Sequence, residues 1–209
     1  MPSHKIHIAI AQEINKELGL NNDEISLGSV LPDLSIIEEH SLPHFQIKDE
    51  YPNNLANAEE FLKHYSLKDA ISIGYLIHLL TDRFYNMRYL EKFFIFKDGK
   101  PYKMIDGITN ENRKCIKKHD FHEYDKYLID LGNIKPFKDI NVISKVNNYG
   151  EIAFDKDKLK EYIQDFNKEL ENKYLNYTFY KYTKEELDKI YFDCINYIKD
   201  YFKKNELFK

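Results

Sequence analysis

Between Leu67 and Leu90 the chain carries its longest apolar stretch, with Ile71, Ile73, Leu76, Ile77, Leu79 and Leu80 spread over most faces of a helix. A helix that is apolar nearly all round has to be wrapped by other elements. That demand argues for a helical body with this segment at its centre. Two residues within it are out of place in hydrocarbon, His78 and Asp82. Four positions apart, they lie on one helix face, one turn from each other. Burying the Asp82 carboxylate without a partner would cost several kcal/mol. A metal ion held jointly with His78 would remove that cost.

The remaining chain reads as further helices. Ile6, Ile10, Ile14 and Leu18 recur every four residues and Gly19 follows, which predicts a first helix over 6–18 with a glycine cap. Residues 21–28 read as a short helical turn. Residues 29–54 hold Pro32, Pro43 and Pro52 and show little periodicity. Such a long loop in a compact domain usually serves a function, and this one carries Asp33, His40 and His44. Helices are expected over 55–65, 67–90 and 110–131, with a turn at 97–101 and a connector at 132–138. Three amphipathic helices are expected over 139–148, 157–174 and 184–203. No stretch alternates with period two and β-branched enrichment, so the fold class expected is all-α, a multi-helix bundle without a sheet. No repeat or flexible linker divides the chain. We therefore expect one domain over residues 1–209, with the site in 1–131 and supporting helices in 132–209.

Composition narrows the function. With 43% hydrophobic residues the chain can build a real core, and Lys+Arg 31 against Asp+Glu 35 leaves a formal charge of only −4. That balance argues against a broad nucleic-acid-binding surface and leaves nucleic acid conceivable only as a substrate. Cys115 and Cys194 are too few for a disulfide framework and fit a reducing compartment. The N-terminal residues show no leader-like apolar core, and no run approaches membrane-span length. A cytoplasmic location is the expectation.

A second pair, His119 and Glu123, repeats the four-residue spacing on the helix over 110–131, there in a charged setting. Together with His7, Asp33 and His44 the two pairs form a candidate ligand set, with His40, Asp120 and His122 in reserve. His4 is read as a terminal residue close enough to His7 to serve as a further reserve. Mixed imidazole and carboxylate donors suit zinc, and iron or manganese can occupy similar sites. Two other readings stand beside a metal hydrolase of this type. In an HD-type phosphohydrolase, His119-Asp120 would be the adjacent ligand pair, completed by His78 and by Asp165 or Asp193. A helical interaction module would hold a structural metal with every coordination position filled by protein.

The order of these pieces resembles the zinc-dependent phospholipase C family, whose relatives include single-strand-specific nucleases. The matching residues are His7-Ile-Ala-Ile-Ala, Leu31-Pro32-Asp33, His44-Phe45, Gly74-Tyr-Leu-Ile-His78-Leu-Leu-Thr-Asp82 and His119-Asp-Phe-His-Glu123, which span roughly the first 125 residues. The resemblance implies an all-α fold with two or three zinc ions at the bottom of a cleft. It implies that His44, His78 and Asp82 hold one ion, with Asp82 bridging to a second that His7 helps to bind. His119 and Glu123 would contribute to a third. Asp33 matches the acidic residue proposed as general base or water-positioning group. The activity implied is hydrolysis of a phosphoester by metal-activated water, on a small phosphorylated compound or a phosphodiester. The chain departs from the pattern twice. The terminal amino ligand of secreted members is not expected here, and the histidine that follows the His-x-x-x-Asp pair is missing from Arg83-Phe-Tyr-Asn86-Met-Arg88. Asn86 or His122 would have to replace it.

Overall fold

A computed structural model describes residues 2–48 and 55–207. The part of the expected proline-containing loop that includes Pro52 lies outside these. Helix α1 (His4–Leu18) starts where the Ser3 side chain accepts the Ile6 amide and stops where Gly19 turns left-handed at φ 67°. The central apolar segment becomes α4 (Ala70–Phe93), whose first turn is closed by a reciprocal cap between Asp69 and Ser72. Every residue from Ala70 to Asp82 is buried, as an apolar helix surrounded on all sides requires.

Helix α2 (Asn22–Gly28) makes the closest approach to α4. A β-carbon on Gly28 would sit 2.2 Å from the Ile71 carbonyl oxygen, and one on Gly74 would sit 2.3 Å from that of Ile25. The two backbones touch because neither position carries a side chain. Helix α1 and the C-terminal α7 (Lys184–Lys204) also pack on α4, and α5 (Asn110–Asp130) lies against α1. Helices α3 (Ala58–His64) and α6 (Lys156–Glu169) complete the helical set among the described residues. One core cluster runs from Ile6 through α4 to Phe202. The mostly helical architecture agrees with the expected all-α class.

Three local expectations are corrected. The residues after α4 form a two-stranded antiparallel hairpin, β1 (Phe94–Lys97) and β2 (Lys100–Met104). Asp98 at φ 50° and Gly99 at φ 72° place both turn residues in the left-handed region that tight hairpins need. The segment expected to be a helix over 139–148 is a 3₁₀ turn, Ile140–Lys145. The helix expected to reach 174 stops at Glu169, and the irregular stretch before α7 is tied down by α5 carboxylates. No helix among the described residues is long and apolar enough to cross a membrane.

Candidate metal centre

Three parts of the chain deliver polar side chains to one enclosed point beside α4. Helix α1 supplies His7, α4 supplies His78 and Asp82, and the segment between α2 and α3 supplies Asp33 from a 3₁₀ turn (Leu31–Leu34) and His44 from the loop beyond it. Nε2 of His7 lies 3.2 Å from Oδ1 of Asp82. Nε2 of His44 and of His78 lie 3.3 and 3.5 Å from its Oδ2. His44 Nε2 is also 3.3 Å from Oδ1 of Asp33. The imidazoles of His7 and His78 stack with centroids 4.0 Å apart.

The outer nitrogens decide what the inner ones present. His78 Nδ1 lies 2.8 Å from the Ser29 carbonyl oxygen, and His44 Nδ1 lies 2.8 Å from that of His40. A carbonyl only accepts, so each Nδ1 carries the proton, and a neutral ring then presents a bare Nε2. The two Nε2 atoms face each other at 3.1 Å. Two lone pairs so close repel unless a cation lies between them. In the metal-free chain a proton plays that part. Burial opposes charge on His44, but the carboxylates of Asp33 and Asp82 outweigh it and raise its pKa to about 10. His7 moves the other way, down to about 4, chiefly through burial and then through His78.

Both ring nitrogens of His7 and both oxygens of Asp82 are enclosed and lack a hydrogen bond among the described residues. Their short separations are ion-pair contacts without hydrogen-bond alignment. Buried polar groups are ordinarily satisfied, so these four atoms need an explanation. Donors about 2.1 Å from a tetrahedral ion stand about 3.4 Å from one another, which matches the 3.2–3.5 Å between Asp82 and its three imidazoles. The donor set fits a divalent cation. Asp82 divides its oxygens between His7 on one side and the His44–His78 pair on the other.

Asp33 forms the open edge. The side chains of His7, His44, His78 and Asp82 are 0% exposed, whereas that of Asp33 is 11% exposed. Its Oδ2 faces His4 Nε2 at 3.5 Å and its Oδ1 faces His40 Nε2 at 3.6 Å, both on more exposed side chains. Burial works against ionisation of Asp33 and Asp82, yet the imidazoles gathered around them, His78 foremost, hold both carboxyls well below the usual range. His4 and His40 therefore belong to the site's margin. His40 also stacks on His44 with centroids 4.1 Å apart. The signal for His4 was its place three residues before His7 on the same helix face.

His119 and Glu123 are not brought to this point. His119 stacks on Tyr180 at 3.7 Å and its Nε2 bonds the Thr178 carbonyl oxygen at 2.7 Å. Glu123 accepts the Thr178 amide at 3.0 Å and pairs with Lys126 at 2.5 Å. Their four-residue spacing places both side chains against the irregular stretch ahead of α7. Asp120, in reserve as a ligand, accepts the amides of Tyr180, Lys181 and Tyr182 at 2.7–3.0 Å. The adjacent pair required by the HD-type reading is thus spent on backbone. His122, the other reserve, faces a pocket at the start of α1. No family model, curated protein or solved structure matches this chain.

Proposed function

We propose that the protein is a metal-dependent phosphoester hydrolase, with His7, His44, His78 and Asp82 as ligands and Asp33 beside them. The observation that carries this reading is the enclosed, unpartnered set of His7 and Asp82 atoms next to two imidazoles whose bare nitrogens converge. It agrees with the likeness to the zinc-dependent phospholipase C family for the first-helix histidine, the loop histidine and the His-x-x-x-Asp pair. It departs from that family at the third ligand pair, so the reading is of one or two ions. Zinc suits the donors, and iron or manganese would be accepted by the same atoms.

A divalent ion would polarise a phosphoryl oxygen and make water a better nucleophile near neutral pH. The chain's own contribution is orientation. The carbonyls of Ser29 and His40 fix the His78 and His44 rings so that Nε2 points inward. Asp33, at the only partly exposed edge of the set, meets an incoming substrate first. The surrounding imidazoles hold its carboxyl well below the usual range, and we assign it the orienting of water by hydrogen bonding. This open edge is what favours a hydrolase over a module with a closed structural metal. The substrate class is a small phosphorylated compound or a phosphodiester.

The test is metal analysis of protein purified without chelator, joined to turnover of p-nitrophenyl phosphate and bis(p-nitrophenyl) phosphate. At least one equivalent of metal and measurable turnover are expected. Asp82→Ala is expected to lose both, and Asp33→Asn to keep the metal while turnover falls about 100-fold or more. Less than one equivalent of metal in the unaltered protein would overturn the reading.

A further inference from the structure

At the start of α1 lies a pocket of about 370 Å³, where Pro2 and Ser3 meet residues of α5. Its α5 wall is a stripe. Lys114, Lys117, Lys118, Phe121, His122 and Asp125 follow the three- and four-residue spacing of one helix face. Three ammonium groups around one concavity, in a chain of net charge −4, mark a local departure from the overall balance.

Lys117 ties the pocket to the metal centre. Its ammonium lies 3.3 Å from Oδ1 of Asn86, which is one helical turn beyond Asp82 on α4. It stands over the rings of Tyr89 and Phe121 at 4.6 and 5.9 Å. Burial draws its pKa down, while the charges of Asp82 and Asp33 act to raise it. The ammonium therefore sits within the field of the metal-centre carboxylates. At the other rim Ser3 lines the pocket, and the next residue, His4, faces Asp33. The one acid in the wall does not cancel the lysines. Asp125 accepts a hydrogen bond from the Ser3 hydroxyl, and burial lifts its pKa to about 7, so near neutrality it carries only about half a charge against three ammonium groups.

We propose that this pocket binds a phosphoryl oxyanion, with Lys117 as the cation facing both the pocket and the metal centre and Lys114 and Lys118 closing the rim. Lysine serves such ligands as a point charge with three donors. The apolar floor of Pro2 and Phe121 leaves room for the group that carries the phosphate. The proposal rests on the phosphoester reading for its link to catalysis, but not for binding itself.

The experiment keeps the two apart by using chelated, metal-free protein. Titration with inorganic phosphate, followed by shifts of the Lys side-chain and α5 amide resonances, is expected to saturate. Lys114→Gln/Lys118→Gln, both exposed positions, is expected to weaken binding about tenfold. Lys117→Met is expected to weaken it further, and Lys117→Arg to restore part of it, with folding checked by circular dichroism. Asp82→Ala is expected to leave phosphate binding in place. Saturation in that variant with no metal in the unaltered protein would sink the hydrolase reading and keep the pocket. Metal binding with no lysine-dependent phosphate shifts would do the reverse. Phosphate on a lipid headgroup presents the same oxygens, so a second arm adds vesicles containing phosphatidic acid. Capture that inorganic phosphate displaces assigns the headgroup as the source, and phosphate binding without capture assigns a soluble ligand. Phosphate shifts unaffected by all three lysine changes would overturn the proposal.

Discussion

The same four-residue spacing occurs twice in this chain and does different work each time. His78 and Asp82 sit among apolar neighbours, where a carboxylate has no partner but what the fold brings to it. That is why the pair was readable from sequence. His119 and Glu123 have lysines beside them and a backbone stretch more than fifty residues downstream to hold. Spacing reports which residues share a face, not what that face meets. Asp125 is a third case of a polar group set among buried ones, and its consequence is a pH dependence. Its folded pKa of about 7 lies above the ordinary carboxyl value, so between roughly pH 4 and pH 7 the native state binds a proton that the unfolded chain releases. Stability from this group is therefore full below about pH 4 and is lost as pH rises through 7. Asp125→Asn is expected to remove that slope. The stability difference between the variant and the parent should change by a few kcal/mol over this range, read from urea unfolding at each pH. Equal slopes in the two proteins would refute the assignment.

Helices were the most legible elements, because their periodicity and caps act locally. The cap at Gly19 and the start of α5 at Asn110 fall where the pattern placed them. The hairpin at 94–104 was missed although Asp98-Gly99 is the pair that a tight hairpin turn favours. Its strands are too short for alternation to show. The contact between α2 and α4 was invisible for another reason, since a glycine in a helix carries no sign of what crosses it. Gly74→Ala is expected to destabilise by about 3 kcal/mol, near the upper end for overpacking because the obstacle is backbone. The displaced α4 would also carry His78 away from the Ser29 carbonyl, lowering metal affinity. Gly99→Ala, strained only by its left-handed φ in open space, should cost about 1 kcal/mol and leave metal binding unchanged. Chemical denaturation and metal titration of both variants give the comparison.

Taken together, Asp33 and Asp82 on one side and Asp120, Glu123 and Asp130 on the other serve two tasks, and each can be removed separately. Asp120 secures three successive amides ahead of α7, so Asp120→Ala is expected to cost about 3–5 kcal/mol, given the strength of hydrogen bonds to charged acceptors, with metal content unaffected. Loss of metal in that variant would instead favour the HD-type arrangement. Chelation should act on the other task. An ion present at about a thousand times its Kd adds about 4 kcal/mol to stability. Its removal should therefore lower Tm by roughly 8–16 °C in a chain of this size, and an unchanged melting curve would count against the metal centre. The fold class was legible because one buried helix demands a helical surround. The exit from the centre was not, since it depends on Asp33 being its only partly exposed member. That enclosure has a kinetic corollary. A cation seated behind Asp33 would leave past that one edge, so Asp33→Asn should change the rate at which chelators extract it.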